Sequence, residues 1–398
     1  MKPFGYLAKH SIVAAATIVF VSSFLSGQTV QPVSNEKPTA REFNLLVVGD
    51  SILWGQGLKE EHKSWYQIKT WLQEMTGREV RQQIQAHSGA MIGSASDPRA
   101  NLGTRLDGEV SRAVPTVNEQ VDDAVKSYAE PSQVDLVLVD GCINDIGARR
   151  LLNAASTQDG VRELAQAKCG SPVEALLSKI TSSFPNAHVV VTGYYPIISD
   201  RTPNDLFTRA LAKRFYTPAA GDRRMNDKQL LARLIAISQE WYQVSSDKLA
   251  AAAASVDAQL TARGSHQRVL FAAVSLLPEH SFEARQSRLW GFDASALRRL
   301  LAVFTLGRVT LRTNDERERQ RSASCRQVYK RPAEESTDQK KTRESLLTLC
   351  RVAALGHPNR KGALMYTESI NRQLKLLITN PGWLREARPT ATSGNPNQ

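Results

Sequence analysis

Short apolar runs alternate along the chain with stretches in which apolar residues recur every three or four positions. The runs at 44–48 (NLLVV), 80–86 (VRQQIQA), 135–139 (DLVLV), 188–192 (HVVVT) and 268–274 (RVLFAAV) predict five strands. Between them the 3.6-residue period predicts helices. One spans 64–76, with Trp65, Ile68, Leu72 and Met75 on one face and Gly77 as its stop. Others fall near 117–128 and 172–184. A long helix over 227–263 carries Leu230, Leu234, Ile237, Trp241 and Val244 in register, and its alanine-rich middle favours helix strongly. A last helix covers 361–376. Strands that alternate with helices predict a parallel sheet covered on its faces. Residues 275–350 break the pattern. They read as an irregular, charge-rich insertion before the final helix, densest over 308–344. The chain shows no internal repeat.

The two ends change the picture. Lys2 and Lys9 precede a 14-residue apolar run, Ile12–Leu25. That is shorter than the span of about 20 residues a membrane helix needs, and it fits the apolar core of a secretory signal. Residues 1–27 are therefore expected to be a signal peptide or N-terminal anchor, 28–41 a polar linker with two prolines, and 381–398 a disordered tail. The expected location is periplasmic or extracellular. At about 150 residues per domain, 398 residues suggest two or three domains. Without the ends, one domain over 42–380 with its insertion at 275–350 suffices.

Lysine and arginine number 51 against 39 acids, a net charge of +12. The excess invites a nucleic-acid partner, but no compact arginine-rich helix or aromatic-basic pattern accompanies it. It reads as a spread surface charge, with no nucleic acid expected. Cysteines stand at 142, 169, 325 and 350. In an oxidising compartment the local pairs Cys142–Cys169 and Cys325–Cys350 are favoured; four reduced, buried thiols are the alternative. No cysteine–histidine cluster has metal-ligand spacing, so neither a metal nor a cofactor is expected.

Three strand ends and one helix start present polar groups. Ser51 follows the first strand in Gly49-Asp50-Ser51-Ile52, Gly89 follows the second, and Asn144 follows the third in Gly141-Cys142-Ile143-Asn144-Asp145. His357 precedes the last helix in Gly356-His357-Pro358-Asn359. The carboxyl ends of strands are where open α/β sheets place ligands. Together these residues supply a hydroxyl nucleophile, a base and oxyanion donors. Taken singly, each has a plainer role as a helix cap or turn.

The four segments resemble the blocks of the SGNH/GDSL hydrolase (GDSL-type esterase/lipase) family, in order, over about 42–200 and 350–378. The resemblance implies a three-layer α/β/α flavodoxin-like sandwich with a five-stranded parallel sheet. It implies that Ser51 is the nucleophile and His357 the general base. Ser51, Gly89 and Asn144 would form the oxyanion hole, and Asp50 would shape the loop. It implies a hydrolase acting on a small acyl ester, a lipid or an acetylated glycan through an acyl-enzyme, without metal. Oligomeric state is open.

One position departs from the family. The acid expected three residues before the histidine is Ala354 here. Either Ser51 and His357 act as a dyad, with a backbone carbonyl or water holding the ring, or Glu279, Glu283 or Asp293 substitutes, or activity is lost. A non-catalytic or weakly active SGNH-fold envelope-binding protein is thus the alternative function, with membrane or envelope association open. The Gly193-Tyr194-Tyr195-Pro196 segment either lines the cleft or simply packs. The loops expected to set specificity are about 93–115, 197–225 and 275–345.

Overall fold

A computed structural model describes residues 41–93, 108–109, 114–218, 225–291 and 316–378. The expected signal or anchor, the linker up to residue 40, the tail and Asp293 lie outside these residues.

Five strands form a single all-parallel sheet: β1 Phe43–Val48, β2 Val80–Ile84, β3 Val134–Val139, β4 His188–Thr192 and β5 Val269–Ala272, ordered β2-β1-β3-β4-β5. Successive side chains of a strand point to opposite faces, and the sequence fills both. Leu46, Val48, Val137, Val139, Val189 and Val191 face one buried cluster, while Leu45, Val47, Leu136, Leu138 and Val190 face the other. A sheet buried on both sides reads as continuous apolar runs, which is why β3 and β4 are apolar with almost no alternation.

The helices divide between these faces. In chain order they are α1 Ser51–Trp54, α2 Ser64–Thr76, α3 Val117–Ser127, α4 Ile143–Ile146, α5 Ala148–Leu151, α6 Gln158–Cys169, α7 Ser171–Ser183, α8 Leu206–Phe215, α9 Asp227–Ala262, α10 Glu316–Val328, α11 Thr337–Ala353 and α12 Arg360–Ile378. On one face α3, α6, α7 and α9 supply Val121, Ala165, Leu177, Ile237 and Trp241. On the other, α2 and α12 supply Trp65, Ile68, Leu72, Ile370 and Leu374. Each of the aliphatic side chains among them larger than alanine contributes about 1.5–3 kcal/mol of burial. The result is the expected three-layer α/β/α sandwich.

Strand order runs outward in opposite directions from β1 and β3. The connections that follow them therefore leave towards opposite faces of the sheet and open a crevice beyond their carboxyl ends. Ser51 follows β1 and Cys142–Asn144 follow β3, so the topology alone brings two of the four sequence segments together.

The 275–350 stretch differs from the irregular insertion expected. Residues 316–353 form the helical pair α10–α11, closed by a Cys325–Cys350 disulfide and a small cluster of Tyr329 and Leu347. Helix α10 (ERERQRSASCRQV) has almost no apolar stripe, so periodicity cannot reveal it. The second disulfide joins Cys142 to Cys169, tying the start of α4 to the end of α6. Both favoured pairings are present. Among the described residues, no helix is long and apolar enough to cross a membrane.

Candidate active site

Gly49 ends β1 with φ +142°, and a Cβ there would come within 1.9 Å of Asp140 Oδ1. Only glycine allows the loop to pass so close to the end of β3. The Gln120 side chain clamps Gly49 from both sides, accepting from its N–H at 2.7 Å and donating to its carbonyl at 2.9 Å. Asp50 then caps α1 by accepting from Ile52 N–H at 2.8 Å. Asp140 accepts from Asp50 N–H at 2.6 Å and Leu53 N–H at 3.0 Å. Ser51 sits between these anchors, 5% exposed.

Burial raises the Asp50 carboxyl to about 6, against the opposing pull of the Ile52 N–H and Tyr194 hydroxyl. Asp140 is raised well above the usual carboxylate range by burial and by the Asp50 charge beside it. The Tyr194 hydroxyl donates to Asp50 Oδ2 at 2.7 Å and accepts from Ile143 N–H at 3.4 Å. One buried phenol thus joins the serine loop to the loop after β3. Tyr195 donates to Gly356 O at 2.7 Å, beside His357. Both tyrosines are buried, so they serve as posts behind the site and do not line its surface.

His357 reaches the site from the far end of the chain. Its Nε2 lies 2.7 Å from Ser51 Oγ across 306 positions of sequence. A strap at 287–291 holds the turn. Trp290 N–H donates to His357 O at 2.7 Å, Gly356 N–H donates to Trp290 O at 2.8 Å, and Asn359 N–H donates to Arg288 O at 2.8 Å. The Asn359 side chain accepts from Lys361 and Gly362 N–H groups at the start of α12. The capping role that His357-Pro358-Asn359 suggested therefore coexists with the placing of the histidine.

Burial pushes the His357 pKa down to about 4, and the carbonyls of Leu355, Ala353 and Ala354 only partly offset this. None of them completes a hydrogen bond to Nδ1, which has no partner among the described residues. Ala354 stands buried against Leu58, Trp290 and Ala363, where the family pattern has an acid. Glu279 and Glu283 make no bond to the ring, and neither is among the causes of its shift. Asp293, the third expected substitute, is outside the described residues.

Of the oxyanion candidates, Asn144 and the Gly89 loop are tied together. Gly89 has φ +85°, and its N–H meets no acceptor among the described residues. The Ser51 N–H, first in α1, lies outside the helical hydrogen-bond ladder. Asn144 Nδ2 donates to Ala90 O at 2.9 Å, which ties it to the Gly89 loop and leaves its second N–H to point elsewhere. Cys142, held by its disulfide, takes φ 103° at the entrance to α4, a strained value for a non-glycine residue.

Several supporting residues escaped sequence reasoning. Gln120, Asp140 and the 287–291 strap carry no motif signal. Glu109 is another. It accepts from Trp54 Nε1 at 2.5 Å, from Gln56 Nε2 at 2.8 Å and from Gly57 N–H at 2.8 Å, so it fixes the loop leaving α1.

A buried hydroxyl against a neutral imidazole, with amide donors nearby at the carboxyl ends of parallel strands, has the make-up of an α/β serine hydrolase site. The profile of the GDSL-like Lipase/Acylhydrolase family matches residues 47–217. The match runs from the end of β1 to just beyond α8 and includes Ser51, Gly89 and Asn144, while His357 lies beyond it. A comparison with curated proteins found no match. Among solved structures, the chain is similar to phospholipase A1 from Streptomyces albidoflavus NA297, at 11% identity, covering 67% of this chain and 99% of that one, with a TM-score of 0.36. It is also similar to the psychrotrophic esterase EstA from Pseudoalteromonas sp. (12% identity, 85% and 100% covered, TM-score 0.32). A third is a Clostridium thermocellum family 3 carbohydrate esterase (15% identity, 60% and 80% covered, TM-score 0.30).

Proposed function

We propose that the chain is an exported serine esterase that cleaves carboxylic esters through an acyl-enzyme on Ser51. The 2.7 Å approach of Ser51 Oγ to His357 Nε2 carries the reading. Neutral Nε2 accepts the Ser51 proton as Oγ attacks the ester carbonyl. The N–H groups of Ser51 and Gly89 and the amide of Asn144 receive the oxyanion, each worth about 3–4 kcal/mol in the transition state. Protonated His357 then gives the proton to the departing alcohol oxygen. Water repeats the sequence on the acyl-enzyme and releases the acid.

With Ala354 in place of the acid, Ser51 and His357 act as a dyad. The carbonyls of Ala353, Ala354 and Leu355 end the 17-residue α11 facing the imidazole, and they favour its protonated form. The negative end of a helix supports a cation by about 0.3–1 kcal/mol, up to about 2 when partly buried. That supplies part of the electrostatic support the absent acid would give.

The Lys2–Leu25 segment supports export, and so do the two disulfides, which persist in oxidising compartments. The substrate is a small acyl ester, a lipid ester or an acetylated glycan, and acyl-chain profiling of the protein lacking residues 1–27 tells these apart. Fluorophosphonate labelling tests the mechanism. Wild type is expected to form an adduct on Ser51 and Ser51→Ala none. An adduct that survives Ser51→Ala overturns the proposal. A Ser51-dependent rate on short aryl esters or acetylated sugars excludes the purely binding role that Ala354 raised.

A further inference from the structure

A cavity of about 460 Å³ opens beside the histidine turn, and its lining includes Leu58, Lys59, His62, Trp290, Arg319 and Arg360. It shares a wall with the site. Leu58 and Trp290 belong to the cluster that buries Ala354, and the Trp290 N–H holds the His357 carbonyl. Arg360 is the first residue of α12, directly after the His357–Asn359 turn.

Charge sets this cavity apart. Lys59, Arg319 and Arg360 come from three separate elements, and none makes an ion pair with a described residue. Glu60 and Glu61 lie in the same short turn as His62. The pKa of His62 is lowered by burial, then by Arg360 and Lys59, with Glu61 only partly opposing them. Three cations that line one space, two of them exposed, repel each other, and an anion between them relieves that repulsion. The volume is within the range of about 300–1,000 Å³ typical of small-molecule sites. Leu58 and Trp290 add an apolar wall.

We infer that this cavity binds a phosphate or other small oxyanionic group, its charge held by Lys59, Arg319 and Arg360 and its organic part set against Trp290 and Leu58. Arginine suits this task, because its planar fork pairs with two oxygens at once. The inference deepens the esterase reading: the anion belongs either to the substrate itself or to a free ligand pressed against the support of His357.

The test uses the full chain with Ser51→Ala, titrated with inorganic phosphate at constant ionic strength while the His62 ring is followed by NMR. A saturable shift is expected, with the His62 pKa rising as the anion offsets Arg360 and Lys59. Arg360→Gln or Arg319→Gln should weaken phosphate about tenfold. Lys340→Gln, an exposed change elsewhere, should leave it unaltered. A shift that never saturates, or saturation indifferent to both arginine changes, overturns the inference. The source of the anion is read on chain with Ser51 intact, from esters of one acyl group on phosphorylated and neutral alcohols. A tenfold fall in the phosphorylated-to-neutral rate ratio in Arg360→Gln identifies the substrate's own anion. An unmoved ratio with phosphate still bound identifies a free ligand. Saturable phosphate binding in a chain whose Ser51 cleaves no ester would leave this site standing and remove the esterase reading.

Discussion

Burial holds His357 near a pKa of about 4 while Nε2 stays 2.7 Å from Ser51 Oγ. A general base works unprotonated, so the acid limb of kcat/KM should fall near pH 4, and the rate should be flat through pH 6.5, where an ordinary histidine loses half its capacity. Ala354→Asp tests the missing acid. A carboxylate there favours the charged ring and should move the acid limb up towards 6.5, whereas Ala354→Asn should not. Because Ala354 is fully buried, either change should cost about 1–3 kcal/mol of stability, measured by denaturant unfolding. An Asp variant whose pH–rate profile matches that of the Asn variant would contradict the dyad electrostatics described above. Asn144→Ala should lower kcat by about 10²–10³ with little change in KM, as befits a donor that meets charge only in the transition state. At this scale Ser51, Gly89, Asn144 and His357 were legible, because each sits in a short motif at an element boundary. Tyr194, Asp140 and Gln120 were not. Their roles depend on partners 71 to 144 positions away, and nothing local distinguishes them from core residues.

Elements with a strong apolar period were read almost to the residue. α2 and α9 match their expected spans within one position. Two of the missed helices share a cause. α6, with Gly160 in its first turn and only Val161, Ala165 and Cys169 buried, has a thin apolar face, and α10 has almost none. Such helices are held by what they are tied to. The Cys325–Cys350 disulfide joins α10 to α11, and Cys350 Sγ lies 3.2 Å from Glu109 Oε1, which fixes the loop after α1. Because α11 leads straight into Ala354 and His357, this clamp supports the base. Replacing both cysteines by serine should cost about 2–4 kcal/mol in thermal or denaturant unfolding. It should also raise amide exchange in α11 well above that in β3. Equal protection of α11 in the variant and the parent would show that packing alone holds it.

For the whole molecule, stability should depend on pH through buried neutral histidines. The His188 pKa is lowered to about 4 by burial, and its Nδ1 accepts from the Arg268 N–H at 3.0 Å. The unfolded chain takes up these protons near 6.5, and the folded chain only near 4. The share of stability that rests on neutral His188 and His357 should therefore be lost as pH drops through the 6.5-to-4 window, while the buried Asp50 and Asp140, raised in the folded state, act in the opposite direction. Comparing the pH 7 to pH 4.5 change in unfolding free energy of wild type with that of His188→Gln isolates the histidine share: wild type should lose more stability over that range than the variant. Loss of residues 1–27 on export would remove Lys2 and Lys9 and lower the net charge from +12 to +10. Vesicle binding that persists unchanged from low to 1 M salt would deny that charge any part in envelope association.

The sequence by itself determined the five strands, their burial on two faces and the four motif residues, and it favoured the disulfide pairs while leaving reduced thiols as the alternative. These are local properties: apolar period, glycine stops, and a polar group at each strand end. Only the tertiary structure decided what those residues meet. The order β2-β1-β3-β4-β5 opens the crevice between β1 and β3. The 287–291 strap swings His357 onto Ser51, and α11 ends in carbonyls where an acid was expected. Contacts between residues hundreds of positions apart leave no periodic trace in the chain, so the partners of His357 and the cationic cavity beside it became readable only once the chain had folded.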